Sequence, residues 1–149
     1  MNSAAEARFR VQAPNSLPRA IAVVAVDPAG EEAVKRLAST GWAHATFLTA
    51  ADRGLRDLAG QTRNIDDAIS ASDLVILVAG PGGHAHPVSR IGEACSLRRV
   101  ATTGFIVGAS AASDSDLSRT LAQIRPWSLM VVLARNDDYI DDMLTALRA

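Results

Sequence analysis

The sequence predicts one Rossmann-like α/β domain: a doubly wound, five-stranded, mostly parallel sheet with helices on both faces. Five apolar runs alternate with segments of helical pattern, and this alternation is typical of parallel sheets covered by helices. The runs are short and nearly continuous, which indicates strands buried on both faces. A chain of 149 residues, 48% of them hydrophobic, suits a single core.

The first half of the chain supplies two strands and two helices. The segment AIAVVAV (20–26) is rich in β-branched residues and predicts a buried strand. The helical segment after it starts with two acidic residues and ends at Gly41, a good C-cap. Residues 43–50 predict a weaker strand, and residues 64–71 predict a short helix capped by Asn64.

The second half of the chain continues the alternation. The segment DLVILVA (73–79) predicts the clearest strand, and residues 88–97 predict a helix whose inward face includes Cys95. The remaining predicted elements are a strand at 100–108, a helix at 113–124, a strand at 128–134 and a helix at 137–148.

Two stretches carry no clear period. Residues 1–18 contain two prolines and predict a flexible N-terminal arm, which leaves residues 19–149 as the domain. Residues 50–63 are polar and contain glycine, and we expect them to form a mobile loop near the ligand site.

Composition excludes several classes of function. The chain carries 15 basic and 16 acidic residues, so it lacks the excess positive charge of a nucleic-acid-binding protein. The sequence contains no run of 18 apolar residues, so we expect no membrane-spanning helix. The N-terminal residues lack the apolar region of a signal peptide. The single Cys95 agrees with the cytoplasmic location that we expect.

The predicted topology confines a ligand site to one edge of the sheet, because open parallel sheets bind ligands beyond the carboxyl ends of their strands. The loops expected there are rich in small and polar residues. Asp27 follows the first strand, where it either contacts a ligand or caps the next helix. The other ligand-binding candidates in these loops are Gly80, Gly82, Gly83, Ser110 and Asn136.

The loop AGPGGHAHP (79–87) is the most unusual of them. Its three glycines can expose backbone N–H groups next to the positive end of a helix, an arrangement that binds anions. The loop holds no Lys or Arg, and neither G-x-x-x-x-G-K-[ST] nor G-x-G-x-x-G occurs where nucleotide-binding sheets carry them.

His84 and His86 in this loop are the candidate catalytic residues. A histidine near a bound phosphate can act as a general acid or base at neutral pH. An H-x-H pair can also hold a metal ion together with nearby carboxylates, although we assign no metal ligand. The alternative is that both side chains face water.

Residues 72–108, SDLVILVAGPGGHAHPVSRIGEACSLRRVATTGFIVG, resemble the nucleotide-binding domain of the tubulin/FtsZ family of GTPases. In that family a strand ending in Ala-Gly leads into GGGTGTG, which wraps the nucleotide phosphates. Gly80, Gly82 and Gly83 match the start of this signature, and His84–Pro87 replace its Thr-Gly-Thr-Gly part. The resemblance implies a shortened domain that binds a nucleotide without forming filaments.

Three functions remain open at the level of sequence. The favoured one is a binding or regulatory domain that holds a nucleotide or another anionic small molecule at the glycine-rich loop. The second is a small enzyme that uses His84 or His86 as an acid–base group or metal ligand. The third is an accessory or scaffold subunit of a larger enzyme, with a degenerate site. The protein partners we expect are further copies of the chain, in a homo-oligomer, or a larger protein. The sequence identifies no particular cofactor.

Overall fold

Strands and helices alternate along the residues that the computed structural model describes, which are 19–52, 54–83, 87–134, 138–147 and 149. The predicted arm over residues 1–18 lies outside them. The strands are β1 (Ile21–Ala25), β2 (Ala45–Ala51), β3 (Gly54–Asp57), β4 (Thr62–Arg63), β5 (Leu74–Ala79), β6 (Ala101–Val107) and β7 (Met130–Ala134). The α-helices are α1 (Pro28–Ala38), α2 (Ile65–Ser70), α3 (Pro87–Leu97), α4 (Asp114–Ile124) and α5 (Asp138–Ala146).

One sheet joins all of these strands, in the order β4-β3-β2-β1-β5-β6-β7. The five predicted strands are β2, β1, β5, β6 and β7, and each pairs in parallel with its neighbour. β3 and β4 extend the sheet beyond β2 in antiparallel pairing. The α/β class and the mostly parallel sheet are therefore confirmed, whereas the prediction of five strands is wrong, because the described chain forms seven.

The two additional strands lie within residues 50–63, which the sequence predicted to be a mobile loop. They form a hairpin instead, with Leu55 opposite Arg63. β3 has one buried apolar side chain, Leu55, and both residues of β4 are exposed. Edge strands this short and polar lack the apolar run that identifies a buried strand.

Two apolar cores lie on opposite faces of the sheet. Side chains of α1 and α5 pack on one face, and side chains of α2, α3 and α4 pack on the other. Successive residues of β1 alternate between the faces, with Val23 in the first core and Val24 in the second. The prediction of helices on both faces is therefore confirmed.

Helix α1 begins earlier than the acidic start of its predicted segment. Asp27 caps the helix and Pro28 occupies its first turn, where the missing N–H of proline costs nothing. The helix ends at Ala38, and Gly41 adopts a positive φ of 78° in the turn that follows. Along the described residues, no helix has both the length and the apolar character needed to cross a membrane.

Candidate functional site

The order of the parallel strands places a crevice between β1 and β5. From β1 the chain turns through α1 to β2 on one side, and it returns through the hairpin and α2 to β5 on the other side. Where the connections from two neighbouring strands run in opposite directions, their loops diverge and leave a gap. Ligands of doubly wound proteins bind in such a gap. The loops bordering this gap follow β1 at Val26–Asp27 and β5 at Gly80–Gly83.

Asp27 joins these two loops. Its Oδ1 accepts a hydrogen bond of 2.7 Å from the Gly30 amide, which is the N-cap interaction of α1. The Gly80 amide donates to the same carboxylate, at 2.8 Å from Oδ2 and 3.1 Å from Oδ1. The capping alternative is thus observed directly, and the carboxylate also holds a loop 53 residues away along the chain.

The Asp27 carboxyl is buried, with 8% of the residue exposed. Burial raises its pKa above the ordinary 3.8, and the hydrogen bonds from Gly30 and Gly80 oppose that rise. Burial therefore disfavours the ionised carboxylate, and the two amide donors favour it.

Thr120 on α4 holds the other side of the glycine-rich loop. Its Oγ1 accepts a hydrogen bond of 2.9 Å from the Gly82 amide and donates to the Gly80 carbonyl at 3.3 Å. Thr120 is fully buried although it is polar. The amides of Gly80 and Gly82, two of the donors expected to face an anion, are thus engaged within the protein.

Packing explains why glycine occupies positions 82 and 83. Gly82 has a φ of 77°, and a Cβ there would lie 2.9 Å from Cγ of Asp116. A Cβ on Gly83 would lie 2.5 Å from Oδ2 of Asp27, well inside contact distance. The loop consequently lies close against both α4 and the Asp27 carboxylate.

A crevice of about 500 Å³ opens beside this loop. It contains two carboxylates, Asp27 and Glu31, and the hydroxyl of Thr49 at the carboxyl end of β2. Its lining is completed by Val26, Pro28, Ala50 and Gly83. The crevice therefore offers mainly hydrogen-bond acceptors beside an apolar wall.

Arg90 on α3 adds a positive charge that sequence reasoning missed. Its Nη2 donates to the Ala51 carbonyl at 2.8 Å, and its Nη1 donates to the Asp52 carbonyl. The guanidinium thereby lies at the carboxyl end of β2, next to the strand residues that line the crevice. Its place within the first turn of the helix after the glycine-rich loop is the signal that could have identified it.

Of the remaining candidates, Ser110 alone lies among the described residues, and it does not line this crevice. Ser110 is exposed in a short 3₁₀-helix, Ala109–Ala111, that follows β6. His84, His86 and Asn136 lie outside the described residues, so their roles stay predictions. Among the described residues, no three His, Cys, Asp or Glu side chains are grouped to hold a metal ion.

Two other cavities, each of about 440 Å³, lie nearer the amino ends of the strands. One is bordered by Ala20, Thr46 and Asp67, and the other by Cys95, Thr102 and Trp127. Neither adjoins the loops after β1 and β5. We favour the carboxyl-end crevice because a buried carboxylate, a hydroxyl and the glycine-rich loop converge there.

Comparison with known proteins adds no relative, because no family model and no curated protein matches the chain. The resemblance of residues 72–108 to the tubulin/FtsZ family therefore stays a prediction.

Proposed function

We propose that this domain binds a small molecule in the crevice beside the loop after β1, between the carboxyl end of β2 and Gly83 of the loop after β5. The ligand we favour is a nucleotide or a similar molecule that combines hydroxyl groups with an anionic group. The observation that carries the proposal is the convergence of Asp27, Thr49 and Gly83 on one crevice at the topological switch of the sheet.

The charges around the crevice suit the two halves of such a ligand differently. Asp27 and Glu31 supply carboxylate oxygens that accept hydrogen bonds from sugar hydroxyls. A phosphate group is repelled by these carboxylates, and we place it toward Arg90 and the first turn of α3. Arg90 has a planar guanidinium with several donors, which matches phosphate oxygens.

The internal hydrogen bonds of the glycine-rich loop support binding through a preformed surface. Asp27 and Thr120 hold the loop from opposite sides through Gly80 and Gly82. A ligand that enters a fixed crevice loses less affinity to the ordering of loops than one that must assemble its site.

The test is a thermal-shift series with GTP, ATP, NAD and inorganic phosphate, followed by calorimetric titration of any ligand that stabilises the protein. A ligand present at 100 times its Kd adds about 2.7 kcal/mol of stability, or roughly 5–10 °C for a chain of this size. Thr49→Tyr fills the crevice, and we expect it to weaken binding at least tenfold.

Thr46→Tyr is the matched control, because Thr46 lies on the same strand but outside the crevice. We expect this variant to bind as the unmodified protein does. Equal binding by the Thr49 variant would move the site elsewhere. If none of the four compounds shifts the melting temperature, the nucleotide assignment fails and the scaffold alternative leads.

A further inference from the structure

The two edges of the sheet differ in how they are protected. The β4 edge has only two residues, and its Arg63 pairs with Asp57 at 3.3 Å. Short charged strands of this kind prevent a sheet from adding further strands. The β7 edge has five residues and lies within the uncharged stretch 126–134. Within the described residues 126–134, the usual protection of an edge is limited to Pro126, which precedes the strand.

Exposed apolar side chains surround the β7 edge. Leu129 is 84% exposed, Met130 50% and Leu133 46%, and Trp127 is 36% exposed beside them. We call these four residues the β7 edge patch.

The patch extends to both faces of the sheet. Val131 packs with the α4 core and Val132 with the α5 core. Because side chains alternate along a strand, Leu133 lies on the same face as Val131, and Met130 lies on the same face as Val132. A strand added at this edge would therefore cover apolar surface on both sides.

Among the described strands, only β6 pairs with the backbone of β7. The Leu129 amide donates to the Thr102 carbonyl of β6 at 2.9 Å. In the register of the sheet, Thr102, Gly104 and Ile106 are the β6 residues that face β7, and they bond Met130, Val132 and Ala134. Because the direction of backbone groups alternates along a strand, Val131 and Leu133 direct their N–H and C=O groups away from β6. These groups form the row of unpaired donors and acceptors that an added strand would meet.

We propose that a second copy of this chain binds here, with its β7 antiparallel to the first and a twofold axis at Val132. Val131 would then exchange backbone hydrogen bonds with Leu133 of the second copy, and the two Val132 residues would form the non-hydrogen-bonded pair at the axis. Val131 would lie opposite Leu133 of the second copy, an apolar cross-strand pair. Every outward-facing backbone group of the strand is satisfied in this register.

Charge and area favour a second copy as the occupant. Pairing residues 126–134 with themselves brings no like charges together. The β7 edge patch exposes on the order of 400 Å² of side-chain surface, about half of the ~800 Å² that each partner buries in a standard interface. We therefore expect a weak dimer whose population depends on concentration.

The first test measures mass by sedimentation and by light scattering between roughly 10 µM and 1 mM. We expect the unmodified protein to shift from monomer to dimer across this range. The double variant Met130→Lys, Leu133→Lys places charges on both faces of the edge, and we expect its dissociation constant to rise at least tenfold. Leu58→Lys is the matched control, since Leu58 is 46% exposed like Leu133 and lies in the β3–β4 hairpin.

The second test detects the twofold axis without destabilising the fold by added charge. In the proposed register the two Val132 Cα atoms lie about 4.5 Å apart, within the ~4.4–6.8 Å of disulfides. Val132→Cys should therefore cross-link under mild oxidation. Leu133→Cys should cross-link much more slowly, because Leu133 lies opposite Val131 of the second copy and not opposite the second Leu133. Cys95 does not interfere, because only 2% of it is exposed.

Three results would overturn the proposal. They are a monomer at every concentration, a dimer that survives both lysines in the folded double variant, or cross-linking at position 133 as fast as at position 132. None of these results depends on the ligand, so the dimer and the proposed function are tested separately.

Discussion

Asp27 connects three parts of the molecule through one carboxylate. It lies in the loop after β1, caps α1 through the Gly30 amide and holds the loop after β5 through the Gly80 amide. Both amides are buried with it, so removing the carboxylate leaves donors that water cannot easily reach. The ligand crevice therefore shares its main polar group with the packing of the sheet.

We predict that Asp27→Ala lowers the free energy of unfolding by about 1–3 kcal/mol, because a helix cap and a loop contact are lost together. Urea unfolding at neutral pH measures the effect. Asn64→Ala is the control, since the Asn64 side chain caps α2 through an exposed hydrogen bond of 3.2 Å from the Asp67 amide. The interpretation fails if the two variants lose equal stability.

The raised pKa of Asp27 predicts the pH dependence of that effect. A carboxyl with a raised folded pKa stabilises the fold most when protonated, so its contribution is full below the unfolded value near 3.8 and is lost as pH rises through the folded pKa. Unfolding of the unmodified protein and of Asp27→Asn, compared from neutral pH downward, isolates this group. The free energy of unfolding of the unmodified protein, relative to that of Asp27→Asn, should increase as the pH falls.

At the scale of elements, the β3–β4 hairpin depends on Asp57. Its Oδ1 accepts from the amides of Gln61 at 2.9 Å and Ala59 at 3.0 Å, and Oδ2 accepts from Nε of Arg63. These bonds, the Gln61 amide foremost, lower the pKa of Asp57. The turn is thus fixed by an ionised side chain, while Leu55 anchors the hairpin in the core.

We predict that Asp57→Asn speeds hydrogen exchange in residues 55–63 and leaves the central strands unchanged. In the unmodified protein the contribution of Asp57 is present above the unfolded value near 3.8 and is lost as pH falls through its lowered pKa. Exchange measured by mass spectrometry at neutral pH checks the variant, with the exposed Asp142→Asn as control. Equal exchange in all three proteins would show that Asp57 does not hold the turn.

The same elements show what the sequence could predict. The five parallel strands are recognisable because runs such as LVILVA in β5 are buried on both faces, and such runs differ from all other segments. Caps are local, so Asn64 was assigned correctly as the N-cap of its helix. β3 and β4 have no such pattern, because an edge strand is held mainly by backbone bonds to its neighbour.

The candidate site was predictable in position but not in its contacts. Its position follows from topology, which fixes where Asp27 and the glycine-rich loop lie. Its contacts join residues far apart in the chain: 53 residues separate Asp27 from Gly80, and 38 separate Gly82 from Thr120. No local pattern encodes such pairs, and the engagement of two loop amides therefore became visible only in the folded chain.

At the scale of the whole molecule, one sheet supports two cores. β1 and β5 contribute alternate side chains to both, so neither core can dissolve without exposing the other. The two tryptophans report on different faces. Trp42 packs with the α1 core and donates from Nε1 to the Leu37 carbonyl at 3.0 Å, whereas Trp127 lies against Gly92 of α3.

We predict a single cooperative unfolding transition. Trp42→Phe and Trp127→Phe each leave one fluorescent tryptophan, on one face of the sheet. In each variant, fluorescence and far-ultraviolet circular dichroism should give coincident urea midpoints. If the fluorescence of either variant changes well before the dichroism, one core unfolds independently of the other.

The central position of β1 also has a consequence during protein synthesis. β1 precedes the other described strands in the chain, yet one of its two partners, β5, begins 53 residues later, as the pairing of Ile21 with Leu74 shows. At about 5–20 residues per second, the ribosome takes roughly 3–10 s to deliver that partner. During this interval the uncharged strand IAVVA lacks its β5 partner, so the backbone groups on that edge are unpaired. The nascent chain therefore most needs chaperone protection between the emergence of β1 and that of β5.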